Sequence, residues 1–186
     1  MIIGVNGKIA SGKSEVLKIL SARGFYCIDA DKIVHDLYVA GGIGAKVVAA
    51  VFGEGFLNEN GAVDRMKLRD EVFADEAKLK LLNDVIHPLV YEEISGLLQK
   101  HVSENIAIEA TYFDPNFFED FVDKLVWVER PQEKVMETLV AERGFSQESS
   151  VIAFELINKP SKIDLELKND GDLVSLKEKL GALFSN

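Results

Sequence analysis

Cysteine, basic charge and long apolar runs are all scarce in this chain, and each shortage excludes something. The only cysteine is Cys27, so no internal disulfide can form. Between Tyr26 and Ile28, that thiol reads as a buried strand residue. Lys and Arg total 21 against 31 Asp and Glu, a net charge of −10. That balance argues against general nucleic-acid binding, which draws on clustered cations. It leaves a phosphorylated small molecule open, because a few cations and backbone amides act locally. No apolar run reaches the length of a membrane span. The N-terminus runs straight into an apolar strand with no leader pattern ahead of it, so the expectation is a cytoplasmic protein without a membrane partner. Internal repeats and low-complexity linkers are lacking too. So is the Asn-Lys-x-Asp signature of a guanine-nucleotide switch: Asn158-Lys159-Pro160-Ser161 ends without the Asp.

What the chain does have is a phosphate-binding pattern close to its start. Gly7-Lys8-Ile9-Ala10-Ser11-Gly12-Lys13-Ser14 satisfies Gly-x-x-x-x-Gly-Lys-[Ser/Thr]. The apolar run Met1–Asn6 ahead of it suits a buried strand, and Ser14–Leu20 behind it carries apolar residues at helical spacing. Glycine lets the backbone take angles that a side chain penalises, so successive N–H groups can turn inward and form an anion site. The positive end of the following helix points at the same place. Lys13 can reach the β- and γ-phosphates, and Ser14 can offer its hydroxyl to Mg²⁺. The nucleotide-binding stretch is taken as Gly7 through Glu15.

Further strands are expected at Gly24–Ile28, Asn105–Ala110, Lys124–Val128 and Ile163–Lys168. Helices between them give a three-layer, doubly wound, parallel five-stranded α/β sheet. Ligands of such sheets bind beyond the carboxyl ends of the strands. Asp29 and Asp31 fall there, one a working carboxylate and the other free to cap the helix Lys32–Val39; Asp31 is the preferred worker. Glu109 could orient Mg²⁺ or water, although a solvent-facing Glu is simpler. Residues 42–101 show no obvious strand and read as a helical insertion between core segments 1–41 and 102–186. Within it Asp64 is a helix cap. Arg65 and Arg69 share one helical face, where they could hold a phosphate or pair with Asp70, Glu71 or Glu76. Pro88 predicts a kink or boundary in the helix Ala77–Lys100. The aromatic run from Tyr112 to Phe121 reads as packing beneath a loop, and Ser146 and Asp172 read as caps of the last helices.

The P-loop, Ile28-Asp29-Ala30-Asp31, Asp64-Arg65-x-x-Leu68-Arg69, Ile86-His87-Pro88-Leu89 and Asn169-x-Gly171 together resemble the dephospho-coenzyme A kinase family over nearly the whole chain. The resemblance implies transfer of the ATP γ-phosphate to the ribose 3′-hydroxyl of dephospho-coenzyme A, with Mg²⁺. It implies that Asp31 accepts the hydroxyl proton, with Lys13 and Arg143 as the other catalytic residues. It assigns the acceptor side to Asn6, Asp29, Asp31, Arg65, Arg69 and His87, and the adenine side to Asn169 and Gly171. It also implies an acceptor role for the insertion and a lid over roughly Thr138–Lys162. The chain departs from the family pattern in several places. Asn6, Lys8 and Ala10 replace Thr, Gly and Gly in the loop. His35 and Thr138 stand where Arg is expected, Thr111-Tyr112-Phe113 where Pro-Leu-Leu is, and Glu155 where Gln is. A kinase for another nucleoside or nucleotide, or an inactive ATP-binding homologue, are the alternatives.

Overall fold

The computed structural model describes residues 1–111, 121–170 and 172–184. The chain divides into two compact units, residues 1–29 with 100–186, and residues 30–99.

The first unit is built on five parallel strands: β1 (Ile2–Gly7), β2 (Tyr26–Asp29), β3 (Ile106–Glu109), β4 (Lys124–Glu129) and β5 (Leu165–Lys168). Their order is β2-β3-β1-β4-β5. β1 is central, pairing with β3 on one side and β4 on the other. It is buried almost throughout, and a continuous apolar run is what a strand covered on both faces requires. The order of the strands reverses across β1, and in open α/β sheets that reversal opens the ligand crevice at the carboxyl ends. In register, Asp29 lies beside Glu109, Glu109 beside Val5, and Gly7 beside Val128. These residues therefore end their strands along one edge.

One face of the sheet packs against helices α1 (Lys13–Ser21) and α8 (Leu173–Gly181). Ile3 and Val5, Ala107, Val126 and Val128, and Leu167 meet Val16, Leu17 and Leu20 of α1 and Leu176 and Leu180 of α8. The strand residues alternate by two and the helical ones repeat by three or four, which places both sets on the shared interface. Asp172 caps α8 by accepting from the Val174 amide at 3.0 Å. Between β4 and β5 run α6 (Gln132–Ala141) and α7 (Gln147–Glu155), which pack on each other. Ser146 caps α7, accepting from the Ser149 amide at 3.0 Å, as its sequence position predicts.

The second unit holds α2 (Ala30–Leu37), α3 (Ile43–Phe52), α4 (Arg65–Phe73) and α5 (Glu76–Lys100). α2 belongs to this unit, although the sequence reading put the break after Gly41. The reason is local packing: a Cβ added at Gly44 would lie 3.0 Å from Leu37 Cβ, so α2 and α3 approach closely. The Val63 amide also donates to the Tyr38 carbonyl at 3.0 Å. Leu57 and Val63 form an isolated antiparallel bridge in the turn-rich loop. Asp64 caps α4 through the Lys67 amide at 3.0 Å.

Three local expectations are corrected. α2 starts at Ala30, so Asp31 lies inside its first turn rather than ahead of it. α5 runs without a boundary through Pro88. Proline removes a single backbone donor, and the buried stripe Ile86, Val90, Ile94 and Leu98 continues on both sides of it. Cys27 is half-buried rather than buried. Burial still pushes its thiol above the ordinary cysteine range, against a hydrogen bond from Ser21 that opposes the shift. The aromatic stretch 112–120 lies outside the described residues.

Leu180 is fully buried between α8 and the sheet. Leu180→Ala should cost about 2–5 kcal/mol through lost burial and the cavity left behind. A fall in the urea midpoint with an unchanged slope would register it, and an unchanged midpoint would contradict this packing.

Candidate active site

The chain from Gly7 to Ser14 leaves the carboxyl end of β1 and turns into α1. Two glycines are fixed by what surrounds them. A Cβ on Gly7 would overlap the Val128 carbonyl oxygen and approach Ser11 Oγ to 2.8 Å. Gly12, the residue before α1, sits at φ 95°, where only glycine is at ease, and a Cβ there would overlap the Asn169 side-chain nitrogen. Ala10 is the only described non-glycine residue with a positive φ, 58°. The Ser11 amide closes the turn on the Lys8 carbonyl at 3.1 Å, and the Glu15 amide bonds the Gly12 carbonyl at 3.1 Å.

Lys13 is buried, 4% exposed, and its ammonium rests on the carbonyls of Gly7 at 3.3 Å and Lys8 at 3.1 Å. A buried lysine over a backbone loop holds a positive charge where α1 also directs its dipole. The Ser14 hydroxyl, one residue on, is exposed at the start of the helix. Ser11 Oγ is buried with no hydrogen-bond partner among the described residues. A turn with no room for side chains at positions 7 and 12, a cation above it and an unpartnered hydroxyl within it fit an anion of phosphate type. Ser14 is suitably exposed to join a Mg²⁺ that also holds phosphate oxygens and water, since Mg²⁺ keeps few protein ligands in such sites. Among the described residues no cluster of three acidic, histidine or cysteine side chains forms a cation site of its own.

Several residues brace this loop. The Asn169 side chain is buried and donates to the Ser11 carbonyl at 2.8 Å, while its backbone amide bonds the Glu129 carbonyl at 2.7 Å. Gly171 lies outside the described residues. Asn6, 2% exposed, uses its amide on the carbonyls of Ala110 at 3.1 Å and Thr111 at 3.2 Å, joining the end of β1 to the exit of β3. Lys8 leaves the loop, donates to the Phe154 carbonyl of α7 at 2.6 Å and stands 3.9 Å from the Phe154 ring centroid. Burial draws its ammonium below the ordinary lysine value, and the carboxylates of Glu155 and Glu129 oppose that shift. Arg130, just past β4, donates from one terminal nitrogen to the Ala10 carbonyl at 3.0 Å and to Thr138 Oγ1 at 3.1 Å. The sequence reading passed over Arg130. The available signal was a cation at the carboxyl end of a strand next to β1.

Glu109 is buried, 7% exposed, so the solvent-facing account expected for it is wrong: β3 is an inner strand, and the pairing with β1 and β2 encloses its end. Asp29 ends β2 beside it. Arg143 is exposed after α6, and its backbone amide bonds the Thr138 carbonyl at 3.3 Å.

In the second unit Asp31 is exposed in the first turn of α2. Arg65 donates to His35 Nδ1 at 2.9 Å, rather than to the acidic residues expected as its partners. The ring accepts through a bare Nδ1, which places its proton on Nε2. Burial pushes the nearby Tyr38 phenol up to about 12, against the charge of Arg65. Arg69 pairs with Asp70 at 2.8 Å, the surface pairing foreseen. The His87 ring lies 5.8 Å from that of Tyr91 on the next turn of α5.

A parallel sheet whose central strand delivers Gly-x-x-x-x-Gly-Lys-Ser into a helix defines a P-loop nucleotide-binding protein. A family model described as dephospho-CoA kinase matches residues 1–170. The dephospho-CoA kinase of Carboxydothermus hydrogenoformans is 35% identical over 96% of this chain and 90% of its own. A crystal structure of a Thermus thermophilus protein superposes with a TM-score of 0.76, at 26% identity over 99% of this chain and 96% of that one. The dephospho-CoA kinase of Campylobacter jejuni shares the fold, with a TM-score of 0.62 at 22% identity over 98% and 95% of the two chains. This chain belongs to the dephospho-CoA kinase family.

Replacing Gly12 by Ala adds a Cβ to a left-handed residue already packed on Asn169. Gly12→Ala should abolish measurable ATP binding in calorimetry while the far-UV circular dichroism keeps its native shape. Parent-like binding would show that the loop does not need glycine here.

Proposed function

We propose that the P-loop of this chain holds ATP with Mg²⁺ and passes the γ-phosphate to the ribose 3′-hydroxyl of dephospho-coenzyme A through the residues named below. The activity itself, ATP-dependent phosphorylation of dephospho-coenzyme A, is that of the family to which the chain belongs. The observation that carries the reading is the loop: buried Lys13 above its carbonyls, exposed Ser14 at the start of α1, and a backbone that leaves no room for side chains at positions 7 and 12.

In-line phosphoryl transfer asks the protein for position and charge more than for covalent chemistry. The amides from Gly7 to Ser14, with the start of α1, cradle the phosphates, and Glu15 completes the stretch. Lys13 exchanges the carbonyls of Gly7 and Lys8 for phosphate oxygens. Ser14 would hold a Mg²⁺ brought with the nucleotide, which would supply charge neutralisation at the phosphate oxygens. Asp31 accepts the hydroxyl proton; its exposed place in the first turn after β2 leaves it open to an acceptor. Asn6, Asp29, Arg65, Arg69 and His87 serve the acceptor side. Arg143 works from a lid over about residues 138–162, where α7 already carries the Lys8 bond. Asn169 and Gly171 complete the adenine side. Cytoplasmic residence agrees with a small-molecule substrate, and among the described residues no helix is long and apolar enough to cross a membrane.

A coupled assay of ADP release with ATP, Mg²⁺ and dephospho-coenzyme A tests this directly. Lys13→Ala should abolish turnover, and chelation of Mg²⁺ should do the same. Asp31→Asn should keep ATP affinity but lower kcat on the order of 10²–10⁴, the usual worth of a general base. An Asp31→Asn enzyme at parental rate would take that carboxylate out of the mechanism.

A further inference from the structure

Arg130 has an unusual setting in so acidic a chain. Its guanidinium has no carboxylate partner among the described residues, and its hydrogen bonds there go to the Ala10 carbonyl and Thr138 Oγ1. Ala10 carries the one described non-glycine left-handed φ, 58°. A side chain makes the left-handed conformation costly, so Ala10 needs an external constraint that glycine would not. Arg130 supplies one. A charged donor on the Ala10 carbonyl fixes the peptide between Ala10 and Ser11, and charge-assisted bonds are the stronger kind. Through Thr138 the same nitrogen joins the loop to α6.

We infer that Arg130 is a positioning residue: it clamps the P-loop at Ala10 in its phosphate-binding conformation and ties that loop to α6 through Thr138. It acts on ATP through the loop. The inference rests on the kinase reading above. Failure of that reading would appear as a parent protein without ATP turnover. Failure of the inference would appear as an active parent whose variants behave like it.

The clamp has a readout that packing alone would not give. Arg130→Met should raise the KM for ATP about tenfold or more, as expected for loss of a charged hydrogen bond. The KM for dephospho-coenzyme A and the urea midpoint should stay near parental. Ala10→Gly removes the conformational demand, so Ala10→Gly with Arg130→Met should return the ATP KM to within about threefold of the parent. Thr138→Val, which keeps the Ala10 bond, should raise the ATP KM less than Arg130→Met. If Arg130→Met does not fold, Arg130→Lys carries the same test, since its shorter side chain should lose the double contact. An ATP KM within about twofold of parent in the Arg130 variant overturns the clamp. A double variant no better than the single one overturns it as well.

Discussion

The backbone conformation at Gly12 is the constraint on which the site depends. It turns the chain from β1 into α1 at φ 95°, with the Asn169 amide pressed against the place a Cβ would occupy. From that turn follow the direction of α1, the height of Lys13 above the loop and the exposure of Ser14. The sheet supplies the anchor. Because β1 is central and parallel to both neighbours, the loop leaves a fully buried strand and cannot shift without disturbing Val128 on β4, whose carbonyl crowds Gly7. A parallel sheet is well suited to this, since its strands all end along one edge and its crossover helices all leave from there.

The second theme is how a loop short of glycine is kept in shape. Lys8 and Ala10 are each tied down by a contact from far along the sequence. Lys8 reaches the Phe154 carbonyl and ring on α7, and Ala10 receives Arg130. Asn169 adds a third tether at Ser11. The three arrive from different elements, so the loop is held from several sides by side chains instead of by glycine's own freedom. That arrangement links the loop to α6 and α7.

In the helical unit the charges arrange themselves differently from a simple reading of neighbours. Arg65 finds the His35 ring on another helix, while Arg69 takes the carboxylate next to it in sequence.

The amino-acid sequence by itself determined the elements whose information is local. The P-loop, the caps at Asp64, Ser146 and Asp172, and the strands from β1 to β5 were legible because spacing, glycine placement and side-chain donors act within a few residues. Local rules failed where distant packing decides. Pro88 allowed a kink or a boundary, and no boundary falls there, because the buried stripe on both sides carries α5 through it. Glu109 read as a surface residue, yet an inner strand buries it. Arg65 was matched to nearby acids, and His35 reached it through α2. Arg130 and its bond to Ala10 were out of sight altogether, because 120 residues separate the partners along the chain. Only the tertiary structure could bring them together, since strand order, and not sequence distance, sets which residues share the edge of a parallel sheet.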